Sequence, residues 1–143
     1  SEGFNTLLRA LGDCTIERLD CIGCGIESIE IDIENIPKKL NHLVLKDNLI
    51  NADGCRGLAK LLQGEDSSLT GLYLGNNKID DEGVGILVDA LQNNSTLRRL
   101  NLKRNNDIST HGQCMLLKLV NNISSINATL QSNHTLEQVD VSP

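Results

Sequence analysis

Three stretches of this chain lie on one template: Leu40-x-x-Leu43-x-Leu45-x-x-Asn48, Leu69-x-x-Leu72-x-Leu74-x-x-Asn77 and Leu97-x-x-Leu100-x-Leu102-x-x-Asn105. The second begins 29 residues after the first, and the third 28 residues after the second. A fixed period of this length belongs to repeated supersecondary units that stack on their neighbours, not to a globule built round one centre. A chain of this kind is expected to present surface.

Each unit divides into two parts. The Leu-x-Leu pair alternates at period two, so both side chains point to the same face of a short strand. After the Asn, the units continue Ile50…Gly54…Leu58…Leu61-Leu62, Ile79…Gly83…Leu87…Ala90-Leu91 and Ile108…Gly112…Leu116…Leu119-Val120. Counted from the Gly, apolar residues recur four, seven and eight positions on, one stripe of an amphipathic helix. Strand and helix alternating at this spacing predict a parallel sheet backed by helices. An Asn at the strand end can donate to and accept from backbone groups of adjacent turns where the chain leaves the sheet. Asn48, Asn77 and Asn105 are therefore expected to form an internal, structural ladder.

These residues resemble leucine-rich repeats, and the repeat length and the Gly resemble the ribonuclease-inhibitor-like subtype, from Ile16 to Val141. The resemblance implies an α/β right-handed solenoid, a horseshoe with a parallel concave sheet and helices on the convex side. One domain is expected over 1–143, with a partial unit at 1–15, repeats at 16–39, 40–68, 69–96 and 97–135, and a partial unit at 136–143.

Two units depart from the pattern. Ser1–Cys14 carries Phe4, Leu7, Leu8 and Leu11, the helical half of a unit ending at Gly12. Ile16-x-x-Leu19-x-Cys21-x-x-Cys24 then fits the strand template with Cys in a Leu slot and Cys in the Asn slot, which the family tolerates. Its return segment alternates Ile29, Ile31 and Ile33 with acids, so it reads as extended and without a proper helix. In the last full unit Leu116, Leu119, Ile123, Ile126 and Leu130 keep a three-four spacing, which predicts one long helix from Thr110 to Ser132. Neither end reads as a polar cap, so a segment of a longer array, or ends covered by adjoining repeats or another subunit, is expected.

A net charge of −6 argues against general nucleic-acid binding, and no apolar run reaches the length of a membrane span. Cys14, Cys21, Cys24, Cys55 and Cys114 are scattered, as free thiols in a reducing compartment would be, so a cytoplasmic protein is expected. Cys21-x-x-Cys24 admits a redox or zinc reading, but no second pair exists and both positions have packing roles. The sequons at Asn93, Asn94, Asn122, Asn127 and Asn133 would suit a secreted protein, yet Asn/Ser-rich turns produce such triplets easily.

Catalysis finds no foothold in the sequence. His42 has no partner fixed by the template, Gly54, Gly83 and Gly112 begin helices rather than cradle a phosphate, and no metal cluster or nucleophile–base pair is visible. No enzyme, cofactor or metal is expected. The outward strand positions are Asp20, Val44, Tyr73, Asn101 and Asp140, flanked by Arg18, His42, Gly71, Arg99 and Gln138 and by Ile22, Lys46, Gly75, Lys103 and Ser142. Arg98, Arg99, Lys103 and Arg104 form a basic run beside Tyr73, and Tyr and Arg are enriched among interface hot spots. Glu17, Asp20, Glu27, Glu30, Asp32 and Glu34 make the unit at the other end acidic. The expected function is a scaffold that binds a partner protein on the concave face through Val44, Lys46, Tyr73, Arg99, Asn101, Lys103 and Arg104. The first alternative, a GTPase-activating protein of the Ran-GTPase-activating type, shares the repeat subtype, with Arg104 just after a strand as the best placeholder. The second is a structural repeat segment of a larger receptor or complex. Ile123, Ile126 and Leu130 on the long helix offer a rival surface, either exposed or covering the end of the core.

Overall fold

The computed structural model describes residues 2–31, 36–64, 67–120 and 135–142. Five strands, β1 (Arg18–Asp20), β2 (His42–Val44), β3 (Gly71–Tyr73), β4 (Arg99–Asn101) and β5 (Gln138–Asp140), form one sheet in chain order. All four pairings are parallel, and the register holds Leu19, Leu43, Leu72, Leu100 and Val139 in one row. The described helices are α1 (Glu2–Ala10), α2 (Ala52–Gln63), α3 (Asp81–Leu91) and α4 (Thr110–Val120). This is an α/β arrangement with a five-stranded parallel sheet, consistent with a leucine-rich-repeat-like fold.

The core lies between the Leu row and the helices. Leu43, Leu45, Leu72, Leu74, Leu100 and Leu102 are buried together with Leu58, Leu62, Leu87, Leu91, Leu116 and Leu119 in one cluster. Helices α2 and α3 pack side by side, as do α3 and α4. The helices therefore cover one face of the sheet, and the outward strand positions occupy the other.

The Asn ladder is present as expected. Asn48 Oδ1 accepts from the backbone N–H of Cys24 and Ile26, while its Nδ2 donates to the carbonyls of Cys21, Leu45 and Lys46. Asn77 accepts from Ile50 N–H and donates to Leu45 and Leu74. Asn105 accepts from Ile79 N–H and donates to Leu74 and Leu102. Each amide thus ties its own turn to the preceding one. Cys24, in the same slot of the first unit, is exposed, and its thiol reaches only Ile22 O at 3.5 Å. Cys21 is buried, as its Leu slot requires.

The return segment of the first unit carries neither helix nor strand through Ile31, with Ile26 and Ile29 buried; Asp32, Ile33 and Glu34 lie outside the described residues. Helix α2 packs directly on this bare backbone. A Cβ at Gly57 would stand 1.9 Å from Ile29 O and one at Gly54 2.7 Å from Glu27 O, so the two glycines set the approach. In α1 the stripe is narrower than the spacing predicts. Phe4 and Leu8 are buried, but Leu7 is exposed, and the helix stops at Ala10, two residues before Gly12. Helix α4 is described to Val120, so the predicted continuation to Ser132 and the surface at Ile123, Ile126 and Leu130 lie outside the described residues.

Candidate functional site

The sheet face opposite the described helices is shaped by β3, whose outward positions run Gly71, Tyr73, Gly75. With no side chain on either side of it, the Tyr73 ring can tip toward β2. Its centroid is 6.1 Å from that of His42 and 5.8 Å from Lys46 Nζ, within range of a cation–π contact. His42 and Lys46 flank Val44 on β2, and Val44 pairs in register with Tyr73. This corrects one expectation: Val44 is 3% exposed, so its side chain offers almost no surface for a partner. Gly71 is lined by His42 and Tyr73, and His42 Nδ1 is buried there with no hydrogen-bond partner among the described residues.

Lys46, Tyr73 and Asn101 are half-buried, and Arg99, Lys103 and Arg104 are exposed. Asn101 turns along its own strand, where Oδ1 accepts from Lys103 N–H at 3.2 Å and closes one side of Gly75. Arg104 adopts φ 59° in the turn after β4, in line with Asp47 and Asn76 after β2 and β3. Its backbone N–H donates to Ser142 O.

The basic run is not free of acids, because the neighbouring strand supplies them. Arg98 pairs with Glu137 at 2.5 Å, and Lys103 Nζ lies 3.7 Å from Asp140. Arg99 and Arg104 form no ion pair among the described residues. At the other end of the sheet Arg18 binds Asp20 through two hydrogen bonds, and this contact raises the guanidinium pKa further above its ordinary value. The acidic character of the first unit persists in Glu17, Glu27 and Glu30, the last near Arg9 at 3.9 Å.

Two residues of interest were not singled out by composition. Ile22 is 51% exposed at an outward position beside β2, an apolar side chain on the open face. Its sequence signal was an Ile in a slot that otherwise holds Lys, Gly or Ser. Asn94 is buried, with Nδ2 donating to Leu62 O and Oδ1 accepting from the N–H of Thr96 and Leu97. It fastens the turn into β4, which accounts for an Asn otherwise read only as a sequon. Among the described residues, no group of three His, Cys, Asp or Glu side chains converges as a metal site would require. No described helix is long and apolar enough to cross a membrane.

No family model matches the chain. Over 112 residues, 78% of its length, it is 36% identical to the NACHT, LRR and PYD domains-containing protein 3 of Bos taurus. The chain spans only 10% of that curated relative. Among solved structures, the leiomodin-1 actin-binding site 2 superposes with a TM-score of 0.70 over 96% of this chain and 76% of that one. Their sequence identity is 16%, so this likeness concerns the fold.

Proposed function

We propose that the chain is a leucine-rich-repeat solenoid of the ribonuclease-inhibitor-like subtype, curved and right-handed, that binds another protein on its concave sheet face. In this reading it is a non-enzymatic, cytoplasmic scaffold. The observation that carries the proposal is the sheet face opposite the described helices, where the half-buried Tyr73 lies between two outward glycines with Lys46 5.8 Å from its ring and Arg99 and Lys103 on the neighbouring strand. A rigid amphipathic aromatic beside cations is the composition of an interface hot spot. The repeat pattern supports the architecture, as does the similarity to a relative whose name includes leucine-rich repeats. The leiomodin fragment is named as an actin-binding site, so a fold of this kind can offer a surface to a protein.

The test is affinity capture from native extract with the wild type and a Tyr73→Ala, Arg99→Glu, Lys103→Glu variant, both checked for folding by circular dichroism. A partner found with the wild type and lost with the variant, then reproduced with purified components, is the expected result. A partner retained by the folded variant would move the site off the sheet face.

A further inference from the structure

We infer that the partner segment received by this face is acidic, with an apolar residue that packs against Tyr73 and Ile22. This rests on the sheet face being the binding surface and adds the chemistry of what binds there. The argument comes from which charges on the face are already committed. Asp20 is held by Arg18 at 2.8 and 3.1 Å, Asp140 lies beside Lys103 and accepts from Gln138 at 3.0 Å, and Asp47 accepts from Asn76 Nδ2 at 2.6 Å. Lys46, Arg99 and Arg104 have no carboxylate within ion-pair distance among the described residues. Asp20 and Asp140 are thus ion-paired within the face and Asp47 is hydrogen-bonded, which leaves Lys46, Arg99 and Arg104 as the cations without a carboxylate among the described residues.

Position sharpens the point. Lys46 on the β2 side and Lys103 on the β4 side, the latter 3.7 Å from Asp140 yet still 47% exposed, flank Gly75, which carries no side chain between them. At the usual strand spacing they stand roughly 10 Å apart, a distance that a few residues of an extended chain can span with two carboxylates. Tyr73 and Ile22 supply apolar surface next to Lys46, so a segment carrying only charge would leave the aromatic unused. The whole chain has a net charge of −6, and an acidic partner is repelled by most of its surface. A cationic island on such a molecule guides that partner to one place and one orientation.

The probe is a synthetic peptide of glutamates with a central Leu, titrated into isotopically labelled protein and followed by amide chemical shifts. Its lysine counterpart and a short single-stranded DNA serve as comparisons. The inference expects shifts centred on Lys46, Tyr73, Gly75 and Lys103, and affinity at least roughly tenfold weaker when salt rises from about 0.05 M to about 0.3 M. It also expects loss of binding in a Lys46→Glu, Arg99→Glu, Lys103→Glu variant whose spectrum remains dispersed. Equal response to the lysine peptide, shifts away from the sheet face, indifference to charge reversal, or a preference for the oligonucleotide would each overturn it. If captured partners depend on Tyr73 while the acidic peptide leaves the face unperturbed, the surface stands and its acidic partner does not. If neither binds there, the surface itself is wrong.

Discussion

A left-handed backbone recurs one position before each ladder residue: Gly23 at φ 65°, Asp47 at 58°, Asn76 at 55° and Arg104 at 59°. Gly has no steric objection to this region, and Asp and Asn tolerate it, but an Arg does not share their reasons. Arg104→Gly should therefore stabilise the fold by about 0.5–1 kcal/mol, the relief of strain exceeding the added freedom of the unfolded chain. Urea unfolding measures it, and a loss of stability would show that the Arg104 side chain contributes more than its backbone costs. The ladder residues themselves bear a larger share. Asn48→Ala would leave Cys24 and Ile26 N–H and Cys21 O without the partners they now have, and should cost at least about 2 kcal/mol. Cys55 offers a pH test. Burial, with Asp80 adding and Arg56 opposing, pushes its thiol up to about 12 from an ordinary value of 9.0. In the unfolded chain the thiol ionises near 9 while the folded one holds its proton. Stability from this group is therefore intact below about pH 9 and lost as pH rises toward 12. Cys55→Ala should flatten that alkaline decline in unfolding midpoints, although its cavity lowers stability at neutral pH.

Among the helices, glycine has opposite meanings at two positions. Gly57 in α2 faces the return backbone of the first unit, and its Cβ would overlap Ile29 O. Gly85 in α3 meets nothing nearer than Met115 Sδ at 4.0 Å. Helix propensity favours Ala over Gly by about 1 kcal/mol at both sites. Gly85→Ala should realise that gain, whereas Gly57→Ala should destabilise, because backbone and helix must separate and uncover Ile29. Thermal unfolding of the two variants gives shifts of opposite sign if the close approach is real. Between α3 and α4 the contact is polar at their starts. The Asp81 carboxylate accepts from Ser109 Oγ, Ser109 N–H and Gly112 N–H, and the Ser109 hydroxyl is the main reason its pKa is held below the ordinary carboxylate value. This stabilisation is present above the ordinary value and is lost as pH falls through the lowered one.

Across the whole molecule each strand but the outer two is hydrogen-bonded on both sides, so protection should fall away from the centre of the sheet. Amide exchange is expected to be slowest around β3 and fastest in β1, β5 and α1. Uniform protection along the sheet would mean that the units unfold as one body with no fraying. The same order decides where binding can act without disturbing the fold. Tyr73 lies on the central strand, on the face that the helices leave open, so contacts there meet the part of the sheet least prone to local opening.

The sequence by itself determined the strand and helix periods, the parallel order, the Leu row, the Asn ladder and the return of the first unit without a helix through Ile31. Each depends on local repetition, and a period of two or of three and four residues assigns a side chain to its face without knowledge of its neighbours. Outward direction was equally legible; accessibility was not. Val44 points outward and is nonetheless buried, in register with Tyr73 and flanked on its own strand by His42 and Lys46. Arg98 and Lys103 read as unopposed until β5 brings Glu137 and Asp140 alongside, from residues 39 and 37 positions further along the chain. Cys24 holds an Asn slot, yet its thiol is exposed and lies 3.5 Å from Ile22 O within its own turn. Which side chains share the open face, and which charges there stay uncommitted, is decided by contact between strands, and only the tertiary structure brings those strands together.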